Sequence, residues 1–109
     1  MSRSDEALLN DVLAAITAIR GHLDVGTLAE PIVYDAVRMR LIEIGEAVKS
    51  ISPAVLEEEP HVPWRSVAGM RGRLAHSYFD ILVRILAETV TGDLDELESA
   101  VARMAARRG

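Results

Sequence analysis

Three residues in the second half of the chain carry side chains that can bind an oxyanion and transfer a proton. Arg71 is followed after four residues by His76, and Tyr78 comes two residues later. A guanidinium holds phosphate oxygens through a planar fork of donors, and an imidazole exchanges protons near neutral pH. With eleven arginines and three histidines in the chain, the Arg–His spacing alone is a weak signal. The added tyrosine makes the pattern much more specific.

Helical geometry limits how these residues can meet. Five residues of a regular helix turn through about 500°, so Arg71 and His76 would project about 140° apart. Seven residues turn through about 700°, which puts Arg71 and Tyr78 nearly on one face. Either the helix ends near His76, or the site combines residues from two chains.

The elements that must position the motif are predicted from apolar residues at helical spacing. Helices are predicted over residues 4–23, 27 or 31–51, 53–58, 63–76 or 78, 81–91 and 94–107. Ser4 is expected to cap the first helix, and Asp80 the fifth. No segment has convincing strand alternation. The sequence therefore predicts an all-α, antiparallel up-and-down helical bundle of four to five main helices plus a short helix, as one domain over residues 1–109.

Local signals refine this prediction. Gly45 interrupts the apolar stripe of the second helix at a cost of about 1 kcal/mol relative to Ala, which favours the close approach of another helix. Trp64 is expected to anchor the third main helix by packing. The acidic run at residues 57–59 is interpreted as a solvated face, and the terminal pair Arg107 and Arg108 as a frayed helix end.

Composition narrows the function classes. The net charge of −5 argues against a protein that coats nucleic acid by bulk electrostatics. Eleven of the twelve basic residues are arginine, so their positions matter more than their number. The chain has no cysteine, no metal-binding pattern around His22 or His61, no apolar run long enough to span a membrane and no signal-peptide pattern in its first ten residues. We expect a cytoplasmic protein without a metal or cofactor.

Three stretches of the sequence, in the same order, resemble the HepT-type ribonuclease toxins of HepT–MntA toxin–antitoxin systems, which belong to the HEPN superfamily. Residues 40–47 read RLIEIGEA and are similar to the family's helix-two signature. Residues 63–71 read PWRSVAGMR and resemble the lead-in to its active site. Arg71, His76 and Tyr78 match its Arg-x4-His-x-Tyr motif. The resemblance extends from about Tyr34 to the end and implies a HEPN-like bundle.

The resemblance also implies a function. The expected activity is metal-independent endoribonuclease cleavage at the cleft of a homodimer, with Arg71 and His76 as catalytic residues. The expected antitoxin is an MntA-like minimal nucleotidyltransferase that transfers AMP to the motif tyrosine, Tyr78. Arg73 is a further candidate for RNA binding, and Glu46 and Arg65 are candidates for supporting roles.

One position departs from the family pattern. Gly72 stands where relatives commonly have Asn. Position 72 precedes His76 by four residues, so the two would lie on one face of a helix. An Asn there could hydrogen-bond the imidazole or the scissile phosphate. Because of this departure, an alternative interpretation stays open: the protein is a catalytically weak helical dimerisation module that binds a nucleotidyltransferase partner. A nucleotide-binding sensor that uses the same arginine-lined cleft is a third interpretation.

Overall fold

Six helices make up the part of the chain that the structure describes. The computed structural model describes residues 3–76 and 92–108, with the backbone alone at residues 75 and 76. The helices are α1 (Asp5–Val25), α2 (Pro31–Ser50), α3 (Pro53–Leu56), α4 (Trp64–Ala68), α5 (Met70–His76) and α6 (Leu94–Ala106). Within these ranges there is no strand, and the predicted all-α helical bundle is confirmed. The predicted helix at 81–91 and its cap lie outside the described residues.

The two long helices form an antiparallel pair. Ser4 caps α1 as predicted, because its side chain accepts a hydrogen bond from the Ala7 N–H at 3.1 Å. Of the two predicted starts of the second helix, the structure has Pro31, while the Thr27 hydroxyl accepts from the Ala29 N–H inside the preceding turn. The buried side chains of this pair are Leu8, Leu9, Val12, Ala15, Ile16, Ile19, Val33, Tyr34, Val37, Leu41, Ile44, Ala47 and Val48. Their burial accounts for most of the core.

The later helices pack against different members of this pair. α2 packs against α1, α4 and α5, while α6 packs against α1. Arg20 of α1 adds ion pairs to Asp95 at 2.7 Å and to Glu98 at 3.0 Å on α6. The positions of α4 and α5 therefore depend mainly on their packing against α2.

The predicted continuous helix from residue 63 to residue 76 or 78 is wrong at Gly69. That residue has a ψ of −3°, far from the helical value of about −42°, so α4 and α5 are separate short helices. Its N–H donates to the Arg65 carbonyl at 3.0 Å and closes α4. The low helix propensity of glycine favours a break at this position.

Gly45 lies where α2 meets the junction of α4 and α5. A Cβ atom built on Gly45 would lie 3.1 Å from the Val67 carbonyl oxygen and 3.5 Å from the Ala68 oxygen and the Arg71 nitrogen. The backbones of the two elements are thus in close contact, and the close approach predicted from this glycine is confirmed.

The acidic run and the C-terminal arginines correct two sequence-based interpretations. Glu59 is buried at 4% exposure and accepts hydrogen bonds from Arg103 and Arg107 of the C-terminal segment. Glu58 pairs with Arg107 and Arg108. The run is therefore not a uniformly solvated face, and Arg107 and Arg108 are held by ion pairs rather than frayed. The reason is a contact between residues nearly fifty positions apart, which local sequence does not reveal.

Trp64 ties this acidic segment to the start of α4. Its indole N–H is shared between the carbonyl oxygens of Leu56 at 2.9 Å and Glu59 at 3.0 Å. The predicted packing role of Trp64 is confirmed, since its partly buried ring packs against the core. The ion pairs of Glu59 thus help to hold in place the segment that precedes α4 and α5.

Loss of the Glu59 charge should weaken the fold. Hydrogen bonds from Arg103 and then from Arg107 lower the pKa of Glu59 to about 2. This folded-state pKa is below the unfolded value. The ionised Glu59 therefore stabilises the fold above the unfolded pKa, and this stabilisation is lost as the pH falls from about 5 towards 2. We expect Glu59→Gln to lower the free energy of unfolding at pH 7 and to make stability less sensitive to acid, as measured by urea denaturation across pH. The neighbouring exposed Glu57→Gln is the control, and an equal loss in both variants would contradict the role of Glu59.

A methyl group at Gly45 should separate the two elements. We expect Gly45→Ala to lower the free energy of unfolding by about 1–3 kcal/mol, because the Cβ atom would press on backbone rather than on a flexible side chain. Gly21→Ala in α1 is a matched control: its Cβ atom would meet nothing within 4 Å, so it should stabilise by up to about 1 kcal/mol. Urea denaturation of both variants measures the difference, and a Gly45→Ala protein as stable as Gly21→Ala would refute the close contact.

Candidate active site

Arg71 and Glu46 form the centre of the candidate site. The Arg71 Nη1 atom donates to Glu46 Oε1 at 3.0 Å, and the side chains are 61% and 46% exposed. Glu46 follows Gly45 in α2, and Arg71 is the second residue of α5, so the close helix contact brings them together. The structure therefore joins one predicted catalytic residue to one predicted supporting residue.

The exposure of this pair affects what it can do. An exposed ion pair contributes only about 0–1 kcal/mol, so an incoming anion can displace the carboxylate at small cost. Arg71 has five N–H donors, and the described contact with Glu46 uses the Nη1 group. The remaining donors suit the oxygens of a phosphate, since guanidinium–phosphate contacts are commonly bidentate.

Arg73 and Arg65 occupy other parts of the site. Arg73 donates from Nη1 to the Ser66 hydroxyl at 3.1 Å and from Nη2 to the Ser66 carbonyl at 2.9 Å. It is thus turned towards α4, whereas Arg71 is turned towards α2. Arg65 is exposed on α4. Among the described hydrogen bonds of these arginines, that of Arg71 ends on Glu46, whereas those of Arg73 end on Ser66.

The remaining motif positions are described only in part. His76 is the last described residue of α5, so helical backbone joins it to Arg71, and its side chain is outside the description. Tyr78 lies outside the described residues. Gly72 is exposed, and a Cβ atom there would meet nothing within 4 Å, so this position on α5 has room for a side chain.

The sequence analysis did not single out Arg38 of α2. Its Nε and Nη2 groups both donate to the carbonyl oxygen of Leu74 in α5, at 3.2 and 3.1 Å. A signal was available in the sequence. Arg38 precedes Gly45 by seven residues, about two helical turns, so both lie on the face of α2 that meets α5.

Three further observations concern a surface groove, metal binding and membrane spanning. An open groove of about 700 Å³ runs between α1 and α2 and is lined in part by Asp11, Glu43 and Glu46. Within residues 3–76 and 92–108, no group of three or more His, Asp or Glu side chains could hold a metal ion. None of the helices described here is long and apolar enough to cross a membrane.

Comparisons with known proteins give the family. Residues 9–104 match the sequence profile of the family described as Ribonuclease HepT-like. A relative from Caldanaerobacter subterraneus subsp. tengcongensis, provisionally named an RNase, is 34% identical over 96 residues, 88% of this chain and 86% of its own length. A Thermococcus cleftensis protein named "Probable ribonuclease HepT" is 36% identical over 102 residues, 90% of this chain and 93% of its own length.

A third relative, from Methanocaldococcus jannaschii and also provisionally named an RNase, is 32% identical over 100 residues, 88% of this chain and 86% of its own length. No solved structure matches the chain. The family and the names of these relatives indicate a ribonuclease. With Arg71 and His76 on α5 and the match over residues 9–104, the chain belongs to the ribonuclease HepT-like family.

Proposed function

We propose that this protein is the toxin of a HepT–MntA type toxin–antitoxin system, a metal-independent endoribonuclease that cleaves RNA at the cleft of a homodimer. The proposal rests chiefly on the family match across residues 9–104, which includes Arg71, His76 and Tyr78. The exposed guanidinium of Arg71, held by one carboxylate, supports it because such a group can exchange its partner for a phosphate.

The proposed reaction needs no group beyond these side chains and the RNA. The ribose 2′-OH attacks the adjacent phosphorus, the bond to the 5′-oxygen breaks, and a cyclic phosphate and a 5′-hydroxyl end result. His76 takes the proton from the 2′-OH, and a second His76 gives a proton to the leaving oxygen. Arg71 leaves Glu46 and stabilises the charge that develops on the phosphate.

The proposed homodimer would bring Arg71 and His76 to one phosphate, which a single α5 is poorly arranged to do. Residues five apart on a regular helix project about 140° apart, so a single copy is poorly arranged to apply both Arg71 and His76 to one phosphate. A two-fold axis through the cleft brings two copies of each residue to the same RNA. It also separates the base and acid roles between two imidazoles.

The proposed antitoxin acts on the motif tyrosine. An MntA-like minimal nucleotidyltransferase would transfer AMP from ATP to the Tyr78 hydroxyl, with release of pyrophosphate. The added phosphate is negative and bulky, so it would repel RNA and obstruct the cleft.

Removal of the motif side chains tests the nuclease. We expect His76→Ala and Arg71→Ala each to lower the rate of RNA cleavage by about 100-fold or more, the usual size of an acid–base or electrostatic contribution. The readouts are cleavage of a fluorophore- and quencher-labelled single-stranded RNA and growth arrest on expression in cells. His22→Ala and Arg40→Ala are matched controls and should cleave like the wild type.

Two results would contradict the nuclease assignment. Unchanged cleavage by His76→Ala would remove that residue from the reaction. A folded wild-type protein that neither cleaves RNA nor arrests growth would favour the catalytically weak interaction module, in line with glycine at position 72.

Modification by the antitoxin is tested separately. We expect Tyr78→Phe to abolish AMP incorporation from radiolabelled ATP in the presence of the nucleotidyltransferase. Tyr34→Phe should remain fully modified, because Tyr34 is only 6% exposed and lies in the core. A Tyr78→Phe protein that is still labelled to the wild-type level would refute the assignment of this tyrosine.

A further inference from the structure

Arg38 of α2 contacts the backbone of α5 rather than a side chain. Its Nε and Nη2 groups converge on one oxygen, the Leu74 carbonyl, and the arginine is partly buried. Leu74 lies two residues before His76 on α5. The contact therefore links α2 to the backbone just before His76.

Two contacts of different kinds therefore hold α5 on α2. The Glu46–Arg71 pair joins two exposed side chains, and a phosphate that binds Arg71 must compete with Glu46. The Arg38 contact ends on the backbone, so it does not depend on a side chain that the substrate would engage. It can stay in place while Arg71 changes partners.

We infer that Arg38 is a positioning residue for RNA cleavage: it fixes the turn of α5 around Leu74, and hence the backbone that carries His76, while Arg71 moves from Glu46 to the phosphate. The inference rests on the proposed function, because it assigns Arg38 a role through His76. The planar guanidinium sets both the distance and the rotation of this turn, which the single ammonium of a lysine does not do. A displacement of about 1 Å in a catalytic group can lower a rate by about 100-fold.

Steady-state kinetics on a labelled single-stranded RNA test this role with Arg38→Lys and Arg38→Met. We expect kcat to fall by about tenfold or more in both variants while KM stays within about twofold, as for loss of geometry rather than of binding. Arg40→Met is the matched control, since Arg40 is two residues away on α2 and pairs with Glu43. Unchanged kcat would overturn the inference. A raised KM with wild-type kcat would do so too, and would indicate that Arg38 binds RNA directly.

A second measurement does not depend on cleavage. The chain has only three histidines, so the imidazole NMR signals of His76 can be followed beside those of His22 and His61 in the full-length protein without RNA. We expect Arg38→Met and Arg38→Lys to shift the His76 signals and to leave the His22 signals at their wild-type positions. Unchanged His76 signals in a folded variant would overturn the inference.

The two measurements also separate this inference from the proposed function. A wild-type protein that does not cleave RNA refutes the nuclease, while the NMR comparison still decides whether Arg38 positions His76. Where the wild type cleaves, shifted His76 signals with unchanged kcat would refute the catalytic consequence. If Arg38→Met does not fold, as judged by far-UV circular dichroism, the charge-retaining Arg38→Lys decides both measurements.

Discussion

The candidate site depends on the missing side chain at Gly45. Because position 45 has no Cβ atom, the backbone of α2 lies against the carbonyls of Val67 and Ala68 and the nitrogen of Arg71. The next residue of α2, Glu46, is then within hydrogen-bonding distance of the Arg71 guanidinium. Two turns earlier on the same helix, Arg38 reaches the Leu74 carbonyl of α5. One close backbone contact thus sets the register of every described link between α2 and α5.

The excess of arginine has a structural explanation in much of the chain. Arg38 and Arg73 donate to backbone carbonyls, and Arg103 and Arg107 surround the buried Glu59. A planar fork of donors suits such contacts better than the single ammonium of lysine. Arg71 differs from these residues because its described partner is an exposed carboxylate rather than a backbone carbonyl or the buried Glu59. On an acidic chain, the proposed phosphate binding is therefore better attributed to this one guanidinium and its surroundings than to total charge.

Prediction from sequence succeeded where the determining signal was local. Apolar periodicity and the Ser4 cap indicated α1 and α2, and the cost of an interior glycine pointed to the contact at Gly45. The burial of Glu59 was not predictable, because its arginine partners are more than forty residues away. The role of Arg38 was missed for a similar reason, since a charged residue beside an apolar stripe usually faces water. Glu46 entered as a supporting residue, and its contact with Arg71 required the three-dimensional register of two helices.

Gly45 and Gly72 are both helical glycines, yet their surroundings are opposite. Gly45 is enclosed by backbone, so a side chain there would disturb the fold. Gly72 faces open space, so its absent side chain has no packing reason, although glycine within a helix is less stable than alanine by about 1 kcal/mol. The surface of α5 beside Arg71 is therefore left without a side chain at this position. A polar group that assists Arg71 or His76 from this side must come from another residue, and in the proposed homodimer the second protomer or the RNA would supply it.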